Sequence, residues 1–151
     1  MKVLNIIESA YRATIEEQDD TIVWLNHAMK GAGADIDVLL RGNAVNYAVR
    51  GQDAAGLVFG DWRQTQPPRI ADDIAALVGK GVAVYVMEED LARRGLGPGD
   101  LVAGLERITQ DRLPTLRRPR PGLALVALLG KTSSAAAARS AAAGDPAPDQ
   151  R

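Results

Sequence analysis

The chain has 151 residues, the size of one compact domain with at most a short appendage. Hydrophobic residues make up 46% and charged residues 25% of it, a composition that can bury a core and that excludes disorder throughout. The formal net charge is -1, so no charge excess favours nucleic acid or an anionic membrane as a partner. The sequence contains no cysteine, which excludes disulfides, thiolate metal ligands and a persulfide-carrying thiol within this chain.

The sequence predicts neither a leader peptide nor a membrane span. Asn5 and Glu8 interrupt the apolar stretch that a signal peptide would need, and no small-residue cleavage site follows. The longest apolar run, residues 122–130, is far shorter than the roughly 20 residues of a membrane-spanning helix. We therefore expect a cytoplasmic protein.

The first part of the chain predicts a strand, a helix and a second strand. Residues 2–7 form a short, mostly apolar run, typical of a strand that is covered on both faces. Thr14 and Glu17 stand at capping-box spacing before an amphipathic helix that ends at Gly31. Residues 35–40 alternate between polar and apolar side chains, which predicts a strand that is at least half buried and fits a place near the sheet edge.

A short helix and a long loop are expected next. Asn43 is a suitable N-cap for a short helix over residues 44–49, which stops at the glycine that follows. Residues 52–68 contain glycines and a Pro-Pro pair with no sustained period, so we predict a long loop. Its two aromatic residues, Phe59 and Trp62, either fold back on the core or anchor an interface.

Helix and strand continue to alternate in the second half. Apolar residues from Ile70 to Val78 recur at helical spacing, and residues 82–87 then form the clearest buried strand. Residues 88–94 predict one or two helical turns with acids at the start and arginines at the end, in agreement with the helix dipole.

Two further strands complete the predicted sheet. Residues 105–108 form the fourth strand and residues 123–129 the fifth, with a short helix capped by Thr109 between them. This alternation predicts an α/β fold, a single three-layer domain over residues 1–130 with a mostly parallel five-stranded sheet of flavodoxin-like, doubly wound topology. Residues 131–151 are rich in Ala, Ser and Pro, without bulky apolar side chains, which predicts a disordered tail.

The loops after the first three strands are the candidate site, because ligands of doubly wound sheets bind at the carboxyl ends of strands. Helices that start near Asn43 and Glu88 offer free N–H groups to a small anionic ligand, and Arg12 or Arg41 supplies charge. The same residues also suit helix capping and a solvated rim, which is the commoner role. The candidate ligand-binding residues are Tyr11, Arg12, Arg41, Asn43, Met87 and Glu88.

Other candidate sites have simpler explanations. The glycines at 95, 97 and 99 follow a helix rather than a strand, so they indicate a helix end and a turn instead of a phosphate loop. His27 is the single histidine and has no cysteine beside it, so neither a metal nor another cofactor is expected. The arginines of residues 112–120 have no interleaved aromatics, which favours a solvated helix end over a weak RNA contact.

Two segments point to a family. A glycine-ended first helix leads into a strand and then into Gly42-Asn43-Ala44-Val45, and the strand GVAVYVM leads into a short helix that ends Arg93-Arg94-Gly95. In order and spacing these segments resemble the DsrE/DsrF-like family, small sulfur-relay proteins of α/β fold. The resemblance covers about residues 1–129 and implies the fold, a homo-oligomer (a trimer or hexamer) and a crevice near the end of the third strand.

The resemblance also bears on the chemistry. In active family members a cysteine at the end of the third strand accepts persulfide sulfur, and the matching position here is Met87. A thioether forms no thiolate, so the sulfur-carrier step is not inherited, and we expect Met87 to be a packing residue covered by another subunit. The leading hypothesis is a homo-oligomeric small-ligand-binding or accessory module. The alternative is an enzyme that uses carboxylate or arginine side chains on a small anionic substrate.

Overall fold

A computed structural model describes residues 2–10, 21–52, 56–117 and 123–128 of the chain. Its elements are, in chain order, β1 (Lys2–Ile7), α1 (Thr21–Gly31), β2 (Asp35–Leu40), a 3-10 helix (Gly42–Ala48), β3 (Val58–Phe59), β4 (Trp62–Arg63), α2 (Ile70–Gly79), β5 (Ala83–Met87), α3 (Glu88–Ala92), a 3-10 turn (Pro98–Asp100), β6 (Glu106–Ile108), a 3-10 turn (Gln110–Arg112), α4 (Leu113–Arg117) and β7 (Leu123–Leu128).

Five of these strands form one parallel sheet in the order β6-β5-β2-β1-β7. The predicted α/β fold with a five-stranded parallel sheet is therefore confirmed, as are the bounds of the first two strands. The strand order reverses at β1, because β2, β5 and β6 follow it on one side and β7 pairs with it on the other.

The larger core lies between one face of the sheet and the helices α1 and α2. Val23 of α1 and Leu77 of α2 are buried there against strand residues such as Val38. Asn5 of β1 is also buried in this layer and donates its side-chain amide to Oδ1 of Asn26 on α1. Burial of an amide is favourable only when it is hydrogen-bonded, so this contact helps to set how α1 lies on the sheet.

Among the described residues, the opposite face of the sheet has a smaller apolar cluster to which α4 contributes. Leu113 of α4 is buried there with strand residues such as Leu39. Nearer the amino ends of the strands this face is polar, and Lys2 forms a 3.0 Å ion pair with Asp37, which raises the pKa of Lys2 through their hydrogen bond. Burial, followed by the charge of Asp37, raises the pKa of the half-buried Tyr85.

The expectation that β2 lies near the sheet edge is wrong. The polar residues on one face of the sheet explain why. β2 lies at the centre of the sheet, between β1 and β5. Its alternation arises because Asp35 and Asp37 point to the face opposite α1 and α2, where Asp37 pairs with Lys2, whereas Ile36 and Val38 point into the larger core. A central strand therefore has alternating polar and apolar residues when one face of the sheet has polar side chains.

The predicted loop over residues 52–68 contains a β-hairpin, formed by β3 and β4. Gly60 occupies the turn with φ +56°, and Gln64 donates its backbone N–H to the carbonyl of Leu57 at 2.9 Å. Phe59 and Trp62 are exposed, so they do not fold back on the core. Each of these strands has only two residues, which is too short for the alternation of polar and apolar residues to be recognised in the sequence.

Of the two predicted helix caps, one differs from the structure, and the other, Thr109, is an N-cap as predicted. The 3-10 helix begins at Gly42, and its N-cap is Arg41 rather than Asn43, with no side-chain cap bond. Thr109 does precede a helical turn, but it forms no side-chain cap bond. The predicted tail over residues 131–151 lies outside the described residues, as do Thr14 and Glu17. Among the helices described, none has the length and apolar character to cross a membrane.

Candidate functional site at the carboxyl ends of the strands

The loops that leave β1 and β2 meet at one edge of the sheet. Arg41 donates its backbone N–H to the carbonyl of Ile7 at 2.9 Å, and Ala44 donates to the carbonyl of Glu8 at 3.2 Å. Gly42 has φ +56°, and a Cβ at this position would lie 3.1 Å from the Glu8 carbonyl oxygen. A glycine is therefore favoured here both by its backbone conformation and by the close approach of the two loops.

The carboxylate of Asp90 connects α3 to the loop after β2. Asp90 is only 9% exposed, and its Oδ2 accepts the backbone N–H of Gly42 at 2.7 Å. Its Oδ1 accepts a hydrogen bond from Arg93 at 3.1 Å. Hydrogen bonds to an ionised acceptor are shorter and stronger than those between neutral groups. Asp90 therefore holds the ends of β2 and β5 together across 48 residues of sequence.

Arg94 adds a second connection between the same two segments. Its Nη2 donates to Oδ1 of Asn43 at 2.6 Å, and its Nη1 donates to the carbonyl of Asp90 at 2.9 Å. Asn43 is exposed, so this contact lies at the outer surface. We refer to the residues that join these loops as the strand-end cluster, which consists of Glu8, Arg41, Gly42, Asn43, Asp90 and Arg94.

Ion pairs within and beside the cluster balance its charge. Glu8 Oε1 lies 3.1 Å from Arg41 Nε, and Glu88 Oε1 lies 2.9 Å from Arg107 Nη1. An anion at this edge would have to compete with Glu8 for Arg41 and with Glu88 for Arg107.

The structure brings together some of the predicted site residues. Arg41 and Asn43 both belong to the strand-end cluster, and Glu88 lies beside it, paired with Arg107. Tyr11 and Arg12 lie outside the described residues.

Sequence reasoning did not include Asp90 and Arg94 in the site. Both follow the buried strand β5, and their spacing of four residues places them on one side of a helical turn. That spacing was the available signal, but an acid at the start of a helix and an arginine at its end also match the helix dipole.

Met87 lies on the other side of the sheet from α1 and α2. Its side chain is 1% exposed and is buried among Leu39, Ile108 and Leu113. The chain itself, through α4, thus supplies the cover that we expected from another subunit. Since the Met87 side chain is almost fully buried, it does not line an open crevice in the structure.

No group of three or more His, Asp or Glu side chains is placed to hold a metal ion within the described ranges. His27 contacts α2 instead. Its Nδ1 lies 2.9 Å from Nζ of Lys80, and its Nε2 lies 3.0 Å from the carbonyl of Asp73. An ammonium group only donates, so Nδ1 accepts from Lys80 and Nε2–H donates to Asp73. These contacts give His27 a structural role between two helices.

Comparisons with known proteins show a similar fold in two solved structures. No family model matches the chain, and the curated proteins contain no significant match. The YchN protein from E. coli is similar in structure with 18% sequence identity and a TM-score of 0.60, over 83% of this chain and 98% of that one. MTH1491 from Methanobacterium thermoautotrophicum, a protein of unknown function, is similar with 17% identity and a TM-score of 0.55, over 83% of this chain and 97% of that one. The chain therefore has the α/β fold of these two proteins, in agreement with the DsrE-like fold that the sequence resemblance implied.

Proposed function

We propose that the protein is a cytoplasmic, homo-oligomeric binding or accessory module, related in fold to sulfur-relay proteins but without thiol chemistry, whose strand-end cluster recognises a small anionic ligand. The observation that carries the proposal is the state of Met87. At the position that matches the family's cysteine, the chain has a thioether that is 1% exposed and belongs to one apolar cluster with Leu113. A buried thioether offers neither a nucleophile nor access to a sulfur donor.

The contacts of the strand-end cluster favour binding over catalysis. Both carboxylate oxygens of Asp90 are hydrogen-bonded within the chain, and Glu8 and Glu88 each form an ion pair. A general acid or base needs a carboxyl group that can reach a substrate proton. The alternative of an enzyme that uses carboxylates or arginines therefore has less support than a binding role.

Arg41 is the residue best suited to meet an anion at this edge. Its ion pair with Glu8 uses Nε, and a guanidinium has four further N–H donors. Arg94 reaches the same loop through Asn43. An anion that binds Arg41 meets a side chain that is already held in place by its contact to Glu8, which lowers the entropic cost of binding.

The ligand half of the proposal is tested by thermal unfolding in rising concentrations of inorganic phosphate and sulfate. A bound anion should raise the melting temperature in a saturable way, because it binds the folded state. Arg41→Ala should remove the effect, and Glu8→Gln should shift it to lower anion concentration by removing the competing carboxylate. The exposed Arg69 provides the control, and Arg69→Ala should respond as the wild type does. An equal response of all four proteins would mean a general salt effect and contradict the anion site.

The absence of thiol chemistry is tested by placing a cysteine at two positions. Met87→Cys should stay buried and take up little labelled sulfur from a small persulfide donor, whereas Ala92→Cys, at an exposed site on α3, should take it up readily. The wild type should take up none. Labelling of Met87→Cys as fast as Ala92→Cys would show that this position is open to donors and would contradict the argument from burial.

The assembly is tested by native mass spectrometry of the protein purified from its own cells. A trimer or hexamer that retains a small molecule is the expected result. A monomer without a ligand at working concentration would contradict the proposed function.

A further inference from the structure

His27 links the two helices that cover the larger core. Its ring is half-buried between α1 and α2, with Nε2 3.0 Å from the carbonyl oxygen of Asp73 and Nδ1 2.9 Å from Nζ of Lys80. Asp73 lies in the first half of α2, and Lys80 follows the last residue of that helix. One imidazole ring therefore contacts α2 at two points that are about two helical turns apart.

The two contacts determine which ring nitrogen carries the proton. A backbone carbonyl only accepts hydrogen bonds, so Nε2 carries a proton and donates it to Asp73. An ammonium group only donates, so Nδ1 has no proton and accepts from Lys80. Both contacts exist together only when the imidazole is neutral and has its proton on Nε2.

Protonation of the ring would keep one contact and remove the other. Nε2–H donates to the Asp73 carbonyl in either state of the ring. A protonated Nδ1 cannot accept from Lys80, and the added positive charge would lie beside an ammonium group that is 2.9 Å away in the structure. The contact with Lys80 therefore changes from attractive to repulsive when His27 gains a proton.

The other charged groups around the ring do not undergo this change. The described strands β1 and β2 contribute no charge to this layer, because their charged residues lie on the opposite face of the sheet. Carboxylates and lysines ordinarily keep their charge between about pH 5.5 and about pH 8, whereas an imidazole changes its charge there. The chain contains one histidine and no cysteine. The charged residues of the two helices beside His27 and Lys80 are Lys30 on α1 and Arg69, Asp72 and Asp73 at the start of α2.

We infer that His27 and Lys80 form a pH-sensitive link between α1 and α2, which is closed when the imidazole is neutral and open when it is protonated. Acidification should release Lys80 from α1 and leave the contact at the Asp73 carbonyl in place. The inference depends only on the two contacts of the ring and is independent of the proposed function.

The change of sign is tested by thermal unfolding at two pH values. At about pH 8, Lys80→Met should lower the melting temperature by about 1–4 °C, because a hydrogen bond is lost. At about pH 5.5 the same substitution should leave the melting temperature unchanged or raise it, because it removes a repulsive charge. Lys30→Met is the matched control, since it removes the same charge one turn from His27 but no hydrogen bond to the ring, and its effect should keep one sign.

A second background shows whether His27 is the group that titrates. His27→Gln removes the titration and keeps a side chain that can both donate and accept. In this background Lys80→Met should have the same effect at both pH values. Circular dichroism should show that all variants are folded. A change of sign that persists in the H27Q background would mean that another group titrates and would overturn the inference.

The protonation of the ring is tested directly on the wild type, which needs no variant. Long-range ¹H–¹⁵N spectra of the imidazole should show an unprotonated Nδ1 and a protonated Nε2 at about pH 8. The opposite tautomer would contradict the contact with Lys80 and overturn the inference. The inference is equally wrong if Lys80→Met has the same effect on the wild type at both pH values.

Discussion

Replacing Asp90 with alanine should cost more stability than the loss of an ordinary surface charge. Its Oδ2 accepts the Gly42 N–H at 2.7 Å, and a hydrogen bond to a charged group contributes about 1.5–3 kcal/mol. The ion pair with Arg93 adds only about 0–1 kcal/mol, because the Arg93 side chain is 74% exposed. Since removal of the carboxylate also leaves the Gly42 N–H without its acceptor, we expect Asp90→Ala to lower the free energy of unfolding by about 2–3 kcal/mol.

Urea unfolding followed by circular dichroism measures this loss, with a fall in melting temperature of about 4–12 °C as the thermal counterpart. Asp72→Ala is the control, because Asp72 pairs with Arg69 at 3.7 Å on the surface and should cost less than about 0.5 kcal/mol. Arg93→Ala should resemble that control. If Asp90→Ala costs no more than Asp72→Ala, the hydrogen bond to Gly42 does not hold the loop. If Arg93→Ala costs as much as Asp90→Ala, the ion pair rather than the backbone contact is responsible.

Three further predictions concern the strand ends and the face of the sheet opposite α1 and α2. Gly42→Ala should destabilise more than Gly51→Ala, since both have positive φ but only a Cβ at 42 meets a backbone oxygen, and urea unfolding of the two variants checks the difference. Met87→Ala should cost about 2–5 kcal/mol in the same assay, because it empties a buried site. The raised pKa of Tyr85 stabilises the fold fully below pH 10.0, its ordinary value, and this contribution is lost as the pH rises through the folded pKa. Stability curves against pH should therefore fall less steeply above pH 10.0 for Tyr85→Phe than for the wild type.

The sequence predicts the elements of the sheet well because each has a pattern that depends only on its own residues. Residues 2–7 and 82–87 are mostly apolar runs that are each followed by a glutamate, and the structure has strands at Lys2–Ile7 and Ala83–Met87. The position of β2 was not predictable in the same way. Asp35 and Asp37 give it the alternation of an edge strand, although the cause is a polar region on one face of the sheet, where Asp37 pairs with Lys2.

The location of the strand-end cluster could be predicted from the sequence, but not all of the residues that form it. The rule that ligands bind at the carboxyl ends of parallel strands directs attention to the loops that contain this cluster. The contacts from Gly42 to Asp90 and from Asn43 to Arg94 join residues about fifty positions apart, and they depend on β5 lying next to β2. Strand order has no signature within either segment, so these pairs become visible only in three dimensions.

Met87 occupies the position that matches the family's cysteine, but the match alone does not show that this position is a reactive site. Side chains alternate across a strand, so with Val84 and Val86 in the larger core, Met87 must point to the face that α4 covers. The groups that can act at the sheet edge begin one residue later, where α3 turns the chain and Asp90 reaches back to the loop after β2. In this chain the matched position therefore stabilises the core, and the polar contacts at the edge come from residues beyond it. A cysteine placed at 87 would inherit that burial, which should limit its reactivity.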